Sequence, residues 1–198
     1  YASYSSVPDK RNYLDIRMRK FICIAIDSVT GCLNAGGLKN HMKHALQLGI
    51  DVKEILEVLE ITCMAGASTH RQHRGISIAA SELDGRQKAL KKDYIAKHGG
   101  YWSDEKENIL KLDPDYFETF TEFEAGPWNN GPLSPKEKEL IYLAVHAAPV
   151  TLHPSEVRYH ISRALDCGAE INEIMDVLHI VSTLGIHAVT MGVPILKE

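Results

Sequence analysis

The sequence predicts an all-α fold on three observations: apolar residues recur at helical spacing, the segments open and close with helix caps, and one pattern occurs twice. No segment of the 198 residues sustains the period-two alternation of a half-buried strand. The repeated pattern emerges when Leu33-Asn34-Ala35-Gly36-Gly37-Leu38-Lys39-Asn40-His41 is set over Leu152-His153-Pro154-Ser155-Glu156-Val157-Arg158-Tyr159-His160. His41 then meets His160, an offset of 119 residues (41 to 160). The same offset, without a gap, brings Ala25 to Ala144, Gly49 to Gly168, Glu54-Ile55 to Glu173-Ile174 and Gly66 to Gly185. Gly, His and Glu in register over so long a span predict a tandem duplication of one helical unit. The expected organisation is a first helical repeat over 11–82, a helical connector over 83–131 and a second repeat over 132–198, forming one unit.

Each element has its own signal. In the second repeat, Ser134-Pro135-Lys136-Glu137 supplies an N-cap, a proline at the first helical position and an acid at the third. Leu140, Ile141, Leu143, Ala144 and Ala147 follow at helical spacing. His153-Pro154 starts the next helix, which stops at Gly168, a C-cap glycine. Ile171, Ile174, Met175, Leu178 and Val181 mark one face of a third. In the first repeat Gly49 ends one helix and Asp51-x-x-Glu54 boxes the start of the next. The connector holds a charged helix from Asp84 to Lys97, a Gly99-Gly100 break and a helix begun by Asp113-Pro114. Its aromatics, Tyr116, Phe117, Phe120, Phe123 and Trp128, together with Trp102, are expected to fill core, because leaving them in water is costly. The Ser- and Tyr-rich segment Tyr1 to Lys10 reads as a loosely held arm.

Composition narrows the function. With 24% charged residues, a net charge of −4 and no basic block, the chain is a poor ligand for a phosphate backbone, so no nucleic-acid partner is expected. No apolar run approaches the roughly 20 residues that span a bilayer, so no membrane partner is expected either. The chain begins at Tyr1 rather than Met, which leaves a preceding targeting segment open. Cys23, Cys32, Cys63 and Cys167 are scattered without a CxxC pair or framework spacing, which favours reduced thiols in a cytoplasmic setting. Cys23, Cys63 and Cys167 lie in apolar helical context, where cysteine behaves as a small core residue.

The residues able to do chemistry cluster around the two aligned histidines. His153, Glu156 and His160 fall at i, i+3 and i+7 and share a helix face. They form an acid–base cluster in which Glu156 tunes His160, or a metal site of two imidazoles and a carboxylate, or simply a helix start that Glu156 caps. The first repeat offers only Asn34, Gly37 and His41 at the same places, with His44 nearby and no third metal ligand in view. His41 and His160 have a bland reading too, as buried histidines hydrogen-bonded within a bundle. Lys39 and Arg158 hold a cation two residues before each histidine, suited to a substrate carboxylate. On a helix, i and i+2 point some 200° apart, so either Arg158 and His160 meet through a neighbouring chain or one of them faces elsewhere. His70, His73 and His187 follow the third helix of each repeat and line the same pocket or sit on the surface.

Leu133-Ser134-Pro135-Lys136-Glu137-Lys138-Glu139-Leu140-Ile141-Tyr142-Leu143-Ala144, the helix from Arg158 to Ala169, and Glu173-Ile174-Met175-Asp176-Val177-Leu178 together resemble the carboxymuconolactone decarboxylase family. The resemblance covers both repeats, about two thirds of the chain. It implies an all-α fold that assembles by helix packing, often as a hexamer of single copies, so that two copies per chain would give a homo-oligomer, a trimer or higher. Alkylhydroperoxidase-type members carry a CxxC pair whose second cysteine lies four residues before the histidine. Here Asn34 and Gly37, and His153 and Glu156, occupy those positions, so dithiol peroxidase chemistry has no nucleophile. Decarboxylase-type members keep the histidine without the cysteines. The resemblance therefore implies a cofactor-independent carboxy-lyase acting on a small carboxylated lactone or 3-oxo acid. His160 would be the principal acid/base with Glu156 and His41 beside it in the catalytic set, and Arg158, Arg163, His153 and Lys39 would receive the substrate. A non-catalytic small-molecule-binding or assembly protein is the alternative from another class.

Overall fold

Prolines and capping side chains set where the helices of this chain begin. The computed structural model describes residues 2–67, 82–97, 102, 104–186, 189 and 193. Among them the regular structure is entirely helical. Two short turns, α1 (Ala2–Ser5) and α2 (Val7–Arg11), precede α3 (Ile16–Ser28), α4 (Ala35–Gln47) and α5 (Val52–Ala67). Four helices follow: α6 (Gly85–Lys97), α7 (Asp104–Leu112), α8 (Pro114–Glu124) and α9 (Gly126–Asn130). The last three are α10 (Pro135–Ala147), α11 (Pro154–Asp166) and α12 (Ile171–Ser182), with a 3-10 turn at Thr183–Gly185. His70, His73 and His187 lie outside the described residues, as does the Gly99-Gly100 break.

Ser134 and Glu137 form a reciprocal capping box at α10. Asp113 accepts from the Tyr116 N–H at 2.9 Å and starts α8 as its Asp-Pro pair predicts. Gly49 (φ +81°) and Gly168 (φ +86°) carry the chain through the left-handed region just past α4 and α11, where a side chain would be strained. The offset of 119 residues recurs in the helices themselves. It separates both ends of α3 and α10 (16 to 135, 28 to 147), both ends of α4 and α11 (35 to 154, 47 to 166), and the starts of α5 and α12 (52 to 171).

The chain divides into two units, residues 1–66 with 132–198 and residues 67–131. In the first, α3 packs on α4, α10 on α11, α3 on α10, and α12 on both α3 and α10. Phe21, Ile22, Ile24 and Ala25 of α3 and Leu140, Ile141, Leu143 and Ala144 of α10 are essentially unexposed. Each of the larger ones, Phe, Leu and Ile, contributes about 1.5–3 kcal/mol by leaving water. α10 is buried along its whole middle, from Lys138 to His146, so its polar side chains have to find partners inside the protein. Lys138 pairs with Glu57 of α5 at 3.1 Å, and the other oxygen of Glu57 accepts from the Leu133 N–H at 2.7 Å. Arg17 of α3 joins Glu54 and Glu137, tying the starts of three helices together. Burial pushes the Glu137 carboxyl up, but the Ser134 N–H and hydroxyl and Arg17 outweigh it and hold the group below its usual range.

In the second unit Tyr94, Ile109, Leu110 and Phe117 form a core, with Leu83, Leu90 and Trp102 packed against it. Lys106 and Glu124 pair at 3.1 Å inside it, and the Tyr94 hydroxyl donates to the same Glu124 oxygen at 3.1 Å. The aromatic expectation holds for Phe117 and Trp102, whereas Tyr116 and Phe123 are exposed on the outer face of α8. The N-terminal arm also differs from expectation, because it is helical and docked on α12. Tyr4 stacks on His179 (ring centroids 4.4 Å) and its carbonyl meets His179 Nε2 at 2.8 Å, while Pro8 is buried. No helix among the described residues is long and apolar enough to cross a membrane.

Candidate functional site

Two helices build the site around His160. α10 presents Glu139, Tyr142 and His146 at i, i+3 and i+7, and α11 presents Glu156, His160 and Arg163 at i, i+4 and i+7, so each triplet follows one face. The faces meet where α10 packs on α11. His160 Nδ1 lies 2.7 Å from Glu139 Oε2, with side-chain exposures of only 8% and 2%. The other ring nitrogen, Nε2, lies 4.0 Å from Glu156 Oε2. Arg163 Nε stands 3.5 Å from the second oxygen of Glu139, so that carboxylate sits between a guanidinium and an imidazole. Burial works against the Arg163 charge, but Tyr159 and Glu139 outweigh it and hold the guanidinium above its ordinary value.

The His160 ring is further fixed by flat contacts. It lies nearly parallel to Tyr142 (4.9 Å, 4°) and to His146 (5.1 Å, 7°), and Tyr159 meets it edge-on at 5.0 Å. His153 reaches the same group through its edge contact with His146 at 6.0 Å. His146, Glu156 and His160 each offer one donor atom within 4.8 Å of the others, a set of two imidazoles and a carboxylate that could take a divalent transition metal. The structure thus brings His146 into the triad that sequence spacing assigns to His153.

The corresponding residues 119 positions earlier make a different site. Asp27 of α3, the counterpart of His146, is buried and lies 3.7 Å from His41 Nε2. Asn34 donates from its side-chain amide to Asp27 at 3.2 Å, and its backbone N–H donates to the Asp27 carbonyl at 2.9 Å. The Asn34 side-chain oxygen accepts from the Gly37 N–H at 3.2 Å, so Asn34 both caps α4 and holds Asp27. A β-carbon at Gly37 would lie 2.2 Å from an Asp27 carboxylate oxygen and 2.4 Å from the Asn34 amide nitrogen, so this geometry requires glycine where the other site has Glu156. Lys20 stands at the counterpart of Glu139. Asp27, Asn34 and His41 line a cavity of about 350 Å³ together with Lys20 and Cys23.

Of the residues singled out by sequence, the structure unites His160, Glu156, Arg163 and His153, and it places His41 on α4 beside Asp27 of α3. Arg158 and Lys39 are exposed. Sequence spacing alone does not assign Glu139, Tyr142, His146, Asp27 and Lys20 to a site. Glu139 precedes Tyr142, Leu143 and His146 by 3, 4 and 7 residues and so shares their helix face, but the charged run Lys136-Glu137-Lys138-Glu139 hides that signal. The four cysteines carry free thiols, and Cys63 is exposed rather than in the core. Burial pushes the Cys23 thiol up to about 11 and also raises Cys32 and Cys167, so none of these three is poised as a thiolate.

The model of the carboxymuconolactone decarboxylase family matches residues 114–197. A crystal structure from Burkholderia xenovorans, of a protein provisionally named a gamma-carboxymuconolactone decarboxylase subunit, superposes with a TM-score of 0.91. It shares 37% sequence identity, and the match covers 98% of this chain and 82% of that one. No curated protein matches the chain. With its helices, its buried histidine and a solved relative matched along nearly its whole length, the chain belongs to the carboxymuconolactone decarboxylase family.

Proposed function

We propose that this chain is a carboxy-lyase that releases carbon dioxide from a small carboxylated lactone or 3-oxo acid, with His160 as the proton-transferring group. The observation that carries this reading is the buried Glu139–His160 pair at 2.7 Å. A carboxylate on Nδ1 fixes the ring's tautomer and orientation, which leaves Nε2 to exchange a proton with the substrate. Loss of carbon dioxide beside a carbonyl leaves an electron pair on carbon, delocalised onto oxygen as an enolate. Proton delivery from Nε2 to that carbon completes the reaction, and Glu139 offsets the imidazolium charge. Glu156, 4.0 Å from Nε2, is the group that tunes the transfer. Arg163 is the cation beside the pair and the better candidate to draw in the substrate acid, since Arg158 points to solvent.

The test is carbon dioxide release from a panel of carboxylated lactones and 3-oxo acids. His160→Ala and Glu139→Gln are each expected to lower the rate by about 10²–10⁴-fold, the usual worth of a positioned general acid. Both variants should keep the wild-type circular dichroism and elution volume. Release that survives in His160→Ala would remove this residue from the chemistry and turn attention to His41.

A further inference from the structure

We infer that the cavity on α3 and α4 is a second ligand site, built to take a small monocarboxylate through Lys20. The inference does not depend on the reading of His160. The cavity, of about 350 Å³, lies at the lower end of small-molecule pockets. Its charges are largely committed. The Asp27 carboxylate is held by Asn34 and faces His41, so its charge is spoken for by groups built around it. Arg19 is tied to Asp9 at 3.2 Å and to the Leu14 carbonyl at 2.5 Å. Lys20 makes no ion pair among the described residues, and it is half-buried at the cavity wall. An ammonium partly withdrawn from water, with no anion paired to it among the described residues, is an anion-binding element. Ile180, Leu184 and Ile186 also line the cavity, which suits the apolar remainder of a small acid. His41, one-third exposed, is placed to hydrogen-bond a second polar group such as a carbonyl.

The exchange of Glu139 for Lys20 at matched positions strengthens the argument. The site around His160 has a carboxylate there and closes on an imidazole, whereas this one has an ammonium and stays open. Gly37 also leaves room that Glu156 fills in the other site, and the buried Asp27 occupies part of it.

Levulinate tests the inference. It carries one carboxylate and a ketone, and as a 4-oxo acid it does not lose carbon dioxide by the 3-oxo route. Calorimetric titration of the full chain should show one saturable site per chain. Lys20→Met should weaken it about tenfold, the loss of one charge-assisted contact, and Lys20→Arg should restore most of it. Methyl levulinate, which has no charge, should bind no better to wild type than levulinate binds to Lys20→Met. His160→Ala should leave levulinate affinity unchanged. Equal affinity in wild type and Lys20→Met would overturn the proposal, as would equal binding of the methyl ester. Absence of saturation by about 10 mM would also sink it, since that is a weaker contact than one desolvated ion pair supports. Binding lost in His160→Ala and kept in Lys20→Met would move the site to α10 and α11.

Discussion

The two sets of three helices, α3 to α5 and α10 to α12, are alike where they face outward and unlike where they enclose a histidine. Leu46, Val52 and Leu56 are exposed, and so are Leu165, Ile171 and Met175, their counterparts 119 residues on. Inside, Lys20 answers to Glu139, Asp27 to His146, Asn34 to His153 and Gly37 to Glu156, with only His41 and His160 kept. The comparison teaches that helix spacing fixes where side chains converge, while a few substitutions at the convergence decide the chemistry. One centre joins a buried imidazole to a carboxylate. The other places an imidazole beside a cavity and a lysine.

The comparison can be tested first away from the histidines, at the paired acids Glu57 and Asp176 (57 to 176), where the largest stability effect is expected. Glu57 is buried and doubly engaged, by Lys138 at 3.1 Å and by the Leu133 N–H at 2.7 Å. Glu57→Gln takes a carboxylate charge from beside the buried Lys138 ammonium, which should cost about 3 kcal/mol or more. Urea unfolding at neutral pH would measure it. A change within about 0.5 kcal/mol, the range of an ordinary surface substitution, would show that Glu57 and Lys138 are not coupled as the geometry indicates.

A smaller effect is expected at Gly37. A methyl group there meets Asp27 and Asn34 far inside contact distance, so Gly37→Ala must displace the Asp27 carboxylate or shift the start of α4. Overpacking of this kind costs about 1–3 kcal/mol. Gly36, its neighbour, would place a β-carbon no closer than 3.8 Å to the Asn34 side-chain oxygen, so Gly36→Ala should be neutral or slightly stabilising. Equal unfolding midpoints for the two variants would mean that the Asp27–Asn34 lock does not require glycine.

These pairs also explain what the sequence made legible. Caps and periodicity located α10, α11 and α12 because the decisive residues, Ser134-Pro135, His153-Pro154 and Gly168, act on their own neighbours. His160 and Glu156 were readable for the same reason, being one helical turn apart. Glu139 was not, because it lies 21 residues from His160 on another helix, inside Lys136-Glu137-Lys138-Glu139, a run that reads as solvated charge. Packing, not composition, buries Lys138 and Glu139 while leaving Lys136 and Glu137 only half-covered. Helix geometry likewise separates Arg163, three residues after His160 and on its face, from Arg158, two residues before and exposed. The docking of the N-terminal arm is not legible locally, because Tyr4 finds its partners, the His179 ring and the Ser182 hydroxyl, on α12, 175 residues or more away in the chain.

The subtlest prediction concerns Asp176, and it should have the opposite sign to Glu57. Asp176 is fully buried, and burial raises its carboxyl above the ordinary range, with Arg11, His179 and Arg19 opposing the shift only in part. The folded chain therefore holds this proton more tightly than the unfolded chain does. At neutral pH the ionised group is a penalty on folding, and the penalty is relieved as pH falls through the raised pKa toward the ordinary value. Asp176→Asn, which keeps the volume and removes the charge, should raise the melting temperature at pH 7. The gain should shrink as pH is lowered and vanish near the ordinary aspartate range. Thermal melts from pH 7 to pH 4 would decide it. If Asp176→Asn lowers stability at pH 7 as Glu57→Gln does, then Arg11, His179 and Arg19 form an ion-pair cluster equivalent to Lys138, and the two halves are more alike inside than their residues suggest.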